Sequence, residues 1–139
     1  MHLLIAAAGS GSRMGADRNK LLLKVSGKTV LEWTWKAAFD AKTISWIGII
    51  GQPKDKKNIC SILDNSEKSV QWINGGSTRQ QSVQFGLASL PSDAKSVLIH
   101  DGARCLVKSL VFDEISKIVS KGKSVIAVSY THLTLPTKA

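Results

Sequence analysis

Apolar positions along this chain fall in short unbroken runs separated by polar, glycine-bearing stretches, and this block pattern predicts the elements. Residues 2–8 (HLLIAAA), closed by Gly9, predict a strand buried on both faces. Residues 9–19 read as a loop, Leu21-Leu22-Leu23 as a short apolar segment and Ser26-Gly27-Lys28 as a turn. Thr29 is placed to cap a helix running to about Asp40, with Leu31, Trp35 and Ala38 on one face. Residues 44–50 (ISWIGII) predict a second strand, closed by Gly51-Gln52-Pro53, and a helix is expected near 54–64. Residues 70–73 predict a third strand, after which Asn74-Gly75-Gly76 turns the chain. Ser77, with Gln80 three positions on, has the spacing of a capping box, and Val83, Leu87 and Leu90 follow at helical intervals. Residues 96–100 (SVLIH) predict a fourth strand. Val111, Ile115 and Ile118 mark a helix to about Ser120 with Gly122 as its stop, and residues 123–128 (KSVIAV) begin a fifth strand.

Strands that alternate with helices, each strand apolar throughout, imply an α/β fold with a mostly parallel sheet covered by helices on both faces. Ligands of such sheets bind beyond the carboxyl ends of the strands. Three polar or glycine-rich loops leave those ends, 9–20, 74–79 and 101–104, and are expected to converge. After Val128 the pattern stops. Residues 129–139 have no helical period and include Pro136, so 1–128 reads as a partial domain and 129–139 as a tail outside the fold.

Composition narrows the ligand. At 139 residues the chain is one domain, and its 43% hydrophobic content suits a globular protein. No run approaches the roughly 20 apolar residues of a membrane span. Nineteen Lys and Arg against ten Asp and Glu give a net charge of +9, which favours anionic ligands. The basic residues are scattered and not interleaved with aromatics, which points to nucleotides or sugar phosphates rather than nucleic acid. Cys60 and Cys105 form no CxxC pair and read as free thiols of a reducing cytoplasm. His2 and His132 have no ligand-like neighbours in sequence.

The candidate chemistry lies in the three loops. Gly9-Ser10-Gly11 follows a strand, but Met14 stands where a dinucleotide fingerprint needs its third glycine, and no GxxxxGK[ST] loop is present. Behind that loop come Arg13 and Lys20, a planar fork and a mobile point charge suited to the oxygens of a phosphoryl group in transfer. In the second loop Ser77 is either a helix cap or a ligand contact, Ser82 could reach a base edge, and Arg79 is a surface residue or holds the turn. In the third, Asp101 and Arg104 are either a local ion pair or a carboxylate orienting a metal or hydroxyl beside a phosphate-binding guanidinium.

Together, AAAGSGSRMG…NK, NGGSTRQQSV and HDGARC resemble the 2-C-methyl-D-erythritol 4-phosphate cytidylyltransferases of non-mevalonate isoprenoid biosynthesis, over about residues 1–128. The resemblance implies a Rossmann-like nucleotidyltransferase that joins CTP to methylerythritol phosphate and releases pyrophosphate, with magnesium bridging the CTP phosphates. It implies that Arg13 and Lys20 stabilise the transition state and that Ala7, Ala8, Gly9, Ser10 and Gly11 wrap the nucleotide. Gly76, Ser77 and Ser82 would contact cytosine and ribose, Gly102 would touch the ribose, and Asp101 and Arg104 would lie at the sugar-phosphate side. The attacking group would be the substrate's own ionised phosphate, so no general base is needed.

The departures from the family are Ala6 and Cys105 where proline is usual and Ser77 where an acid is common. The family also runs on well past residue 128, with a dimer-forming arm and further acceptor-binding residues. The chain is therefore expected to be an N-terminal fragment that binds CTP weakly and turns over little, its full-length relatives being homodimers of the cytoplasm or plastid stroma. A ribitol-5-phosphate cytidylyltransferase and a non-catalytic nucleotide-binding module are the alternatives.

Overall fold

The computed structural model describes residues 1–9, 19–63 and 67–127. Four strands, β1 (His2–Ala7), β4 (Trp46–Gly51), β5 (Ser69–Asn74) and β6 (Val97–Asp101), form one sheet in the order β5-β4-β1-β6. All three pairings are parallel, with Ile5 opposite both Ile49 and His100. The short strands β2 (Lys24–Val25) and β3 (Lys28–Thr29) form a separate hairpin. Its two turn residues, Ser26 (φ 51°) and Gly27 (φ 84°), both have positive φ, the geometry that matches the twist of a tight hairpin.

The helices are α1 (Val30–Asp40), α2 (Lys56–Ile62), α3 (Arg79–Ala88) and α4 (Ser109–Ser120). Thr29 caps α1 as its sequence predicts. The Thr29 hydroxyl accepts from the Glu32 amide at 3.1 Å, and Glu32 Oε2 accepts from the Thr29 amide at 2.6 Å. Leu31, Trp35 and Ala38 of α1 are buried against Leu3, Ile5, Ile47 and Ile49, with Ile59 of α2 and Phe112 of α4 in the same cluster. On the other face Leu4, Trp46, Ile50 and Ile73 form a smaller cluster. Strands buried from both sides are why their sequences are apolar throughout.

At the start of β5, Lys68 donates to the carbonyls of Ala41 and Ile44, where the chain leaves α1 for β4. From α4, Asp113 accepts from the Thr43 amide at 2.8 Å, the Thr43 hydroxyl at 2.6 Å and the Lys42 amide at 3.2 Å. Side chains thus hold the α1–β4 connection from two directions.

Three expectations are corrected. The cap of α3 is Thr78, not Ser77: the Thr78 hydroxyl accepts from the Gln81 amide at 3.1 Å. The buried face of α3 is Ser82 and Gly86, while Leu87 is 42% exposed. A Cβ on Gly86 would lie 2.6 Å from Ile50 Cδ1, so the helix approaches the sheet on its small residues and turns the larger ones aside. Residues 123–127 form no strand, and Ile126 is 85% exposed. They pair with no sheet edge, and an apolar pattern without ladder partners does not make a strand. In α4 the deepest residues are Phe112 and Ser116, with Val111 and Ile115 half-buried and Ile118 exposed. The tail assignment for 129–139 and the final position of the expected fifth strand, Val128, lie outside the described residues.

Candidate functional site

β1 is followed in space by β4 and β5 on one side and by β6 on the other, so the loops leaving β1 and β6 diverge and open a crevice at the carboxyl ends. A cleft of about 370 Å³ occupies this position. Ala6 lines it from β1, Ala8 and Gly9 from the residues just after, Lys20 from the short 3₁₀ turn Lys20–Leu22, and Asp101 from β6. Gly76, Ser77, Thr78, Arg79 and Ser82 line it from the turn into α3. The described ends of the first loop, Ala8–Gly9 and Asn19–Lys20, thus meet the second loop and Asp101 of the third in one cleft, residues 10–18 lying outside the described residues.

Asn19 holds the Lys20 turn in place. It is 3% exposed, its Oδ1 accepts from the Leu21 amide at 3.0 Å, and its Nδ2 donates to the Ala7 carbonyl at 3.2 Å. Lys20 itself is exposed and lines the cleft. On the opposite rim Ser82 is buried, and its hydroxyl oxygen accepts from the Gly76 amide at 3.0 Å. The Ser77 amide and hydroxyl both donate to Gln81 Oε1, at 2.8 and 3.0 Å. Gly76 and Ser77 are thereby fixed by the first turn of α3, with Arg79 beside them as a second exposed cation.

Asp101 Oδ1 accepts from the Ala103 amide at 3.0 Å, which folds the third loop back on itself. Behind it, His100 Nε2 donates to the Arg104 carbonyl at 3.2 Å and its ring meets Phe112 edge-on at 5.1 Å. Burial lowers the His100 pKa, the bond to Arg104 only partly opposing it, so the imidazole is neutral near pH 7 and braces the loop.

Of the residues expected to form the site, Ala8, Gly9, Lys20, Gly76, Ser77, Ser82 and Asp101 line the cleft. Ala7, Gly102 and Arg104 do not. Ala7 is buried below it with its carbonyl on Asn19. Gly102 is also buried: its amide donates to the Ala6 carbonyl at 2.9 Å and its carbonyl accepts from the Thr34 hydroxyl at 2.7 Å. Arg104 is exposed outside the cleft. Ser10, Gly11 and Arg13 lie outside the described residues. Sequence reasoning passed over Asn19, Gln52 and Thr78, all of which line the cleft. Asn19 left a signal, a capping residue type immediately before Lys20, and so did Thr78, a capping residue type with Gln81 three positions on; Gln52 left none.

Comparison with known proteins accords with this geometry. The family model for 2-C-methyl-D-erythritol 4-phosphate cytidylyltransferase (IspD) matches residues 1–135. The chain is 89% identical over 129 residues to the protein of that name from Prochlorococcus marinus strain NATL2A, covering 93% of this chain and 57% of the relative. Another, from Prochlorococcus marinus strain MIT 9313, is 56% identical over the same shares. Among solved structures, 4-diphosphocytidyl-2C-methyl-D-erythritol synthase from Anaerococcus prevotii DSM 20548 superposes with a TM-score of 0.75 at 29% identity, over 86% of this chain and 51% of that one. The chain thus spans little more than half the length of the relatives it matches. On its sequence, and on a fold shared with a solved synthase, the chain belongs to the 2-C-methyl-D-erythritol 4-phosphate cytidylyltransferase family.

Proposed function

We propose that the cleft binds CTP and that the chain serves the transfer of its cytidylyl group to 2-C-methyl-D-erythritol 4-phosphate, with release of pyrophosphate. The observation that carries this reading is the placement of Lys20 on one rim and the Gly76–Ser82 turn on the other, in one cleft at the carboxyl ends of a parallel sheet. Backbone and hydroxyl groups of Gly76, Ser77 and Ser82 take the cytosine and ribose. The triphosphate lies along Ala8 and Gly9 toward Lys20, with Arg13 as the second cation in this reading.

As the acceptor phosphate attacks the α-phosphorus, negative charge grows on the non-bridging oxygens, and a fixed ammonium there lowers the barrier. The incoming oxygen is already ionised, so the protein's work is orientation and charge, without proton transfer. Gly102 takes the part of a support under the cleft rather than a ribose contact.

The donor set fits a magnesium ion carried by the nucleotide. Asp101 is the carboxylate lining the cleft, with one oxygen already accepting from Ala103. Among the described residues no cluster of three His, Cys, Asp or Glu could form a cage. Magnesium commonly binds through one or two carboxylates plus substrate phosphates, and here it would neutralise phosphate charge with Asp101 as its protein ligand.

Calorimetric titration with each of the four ribonucleoside triphosphates in magnesium tests the reading. CTP is expected to bind in preference to the other three, and equal binding of all four would defeat it. Pyrophosphate release with methylerythritol phosphate and with ribitol 5-phosphate then assigns the acceptor, methylerythritol phosphate being expected. Turnover by these 139 residues is expected to be weak, on the strength of their 57% span of the most similar relatives.

A further inference from the structure

The turn after β4, from Gln52 to Asp55, holds no residue to which the sequence assigns chemistry, yet both of its end side chains reach out to other loops. Gln52 Nε2 donates to the Ala8 carbonyl at 3.0 Å and to the Gly76 carbonyl at 3.3 Å. A single amide therefore ties the loop leaving β1 to the loop leaving β5. Asp55 stands at the N-cap of α2, where an aspartate ordinarily accepts from a first-turn amide, and makes no such bond. It is instead buried, 7% exposed, with Oδ2 accepting from Asn19 Nδ2 at 3.2 Å. Asn19 in turn fixes the Leu21 amide and the Ala7 carbonyl on either side of Lys20. Ala8 and Asn19, which flank the glycine loop, are thus fastened to one turn, and so is Gly76 across the cleft.

We propose that Gln52 and Asp55 are positioning residues that set the distance between the Lys20 rim and the Gly76 rim. This rests on the reading of the cleft as a CTP site. A nucleotide triphosphate must satisfy the base-binding rim and the phosphate-binding rim at once, and a fixed separation lets the second contact form without a further loss of freedom. Neither residue needs to touch the reacting atoms.

The test uses the 139-residue chain and the variants Gln52→Ala, Gln52→Glu, Asp55→Ala and Asp55→Asn, with affinities for CTP–magnesium, cytidine and inorganic triphosphate from calorimetry. Gln52→Ala and Asp55→Ala are expected to weaken CTP about tenfold, the scale of one lost fixing hydrogen bond. Cytidine and triphosphate, each needing one rim only, are expected to bind as they do to the unmodified chain. Gln52→Glu has no N–H for either carbonyl and weakens CTP at least as much as Gln52→Ala. Asp55→Asn keeps an acceptor for Asn19 and restores CTP binding.

Wild-type CTP affinity in both alanine variants would overturn the proposal, as would an equal loss for cytidine, triphosphate and CTP. If Asp55→Ala does not fold, the Gln52 pair, altered at a half-buried side chain, decides alone. Failure of the unmodified chain to bind CTP would overturn the reading of the cleft and this proposal with it, and that failure is seen before any variant is made.

Discussion

Lys20 and Ser82 line the same cleft under opposite physical demands. Lys20 is exposed, so its removal leaves nothing buried and unsatisfied. Lys20→Ala is expected to lower the rate of pyrophosphate release more than it weakens CTP binding, with the melting temperature unchanged, whereas a loss in binding alone would favour a non-catalytic nucleotide-binding module. A pyrophosphate-release assay beside calorimetry and a thermal scan checks each part. Ser82 is buried and receives the Gly76 amide, so Ser82→Ala strands that donor. A loss of about 1–3 kcal/mol in urea unfolding is expected alongside weaker CTP binding.

The sequence made Lys20 and Ser82 legible because a cation behind a glycine loop and a hydroxyl in a strand-to-helix turn are locally odd. Gln52 was not legible. Its partners, Ala8 and Gly76, lie 44 and 24 positions away, and both use main-chain carbonyls that every residue type offers.

At the level of the element, local chemistry was the better guide and side-chain size the poorer one. The α1 cap was readable because Thr29 and Glu32 interact across three positions. Thr29→Ala is expected to cost about 1 kcal/mol of unfolding free energy, measured in urea. The packing face of α3 was misread in part: Val83 and Leu90 are half-buried, but Leu87 is exposed and the deepest contact is made through Ser82 and Gly86. Close approach selects small residues, and a period count over large apolar ones cannot register it. Gly86→Val therefore forces two methyl groups against Ile50 and Leu4, and a loss of about 1–3 kcal/mol is expected despite the better helix propensity of valine. The segment 123–127 shows the converse: strand-like composition with no neighbour to pair with.

For the whole molecule, the Asp113 network gives a defined response to acid. Burial pushes its pKa up, but the Thr43 hydroxyl, the Thr43 and Lys42 amides and the Lys68 charge together outweigh that, and the net direction is down. A carboxylate depressed in the folded state adds stability that is fully present above its unfolded pKa, about 4, and is lost as pH falls through the lower folded value. Acid titration of unfolding should steepen below about pH 4. In Asp113→Asn that steepening should shrink, together with a lower stability at pH 7.

The sheet order carries a consequence for how such a chain is made. β1 lies in the interior of the sheet, paired to β4 on one side and β6 on the other. Leu3, Leu4 and Ile5 leave a ribosome well before the neighbour opposite them on one flank, Val97–Asp101. Until that segment arrives, one border of this apolar stretch stays open to any passing strand, an exposure that slower synthesis prolongs and a chaperone's cover would relieve.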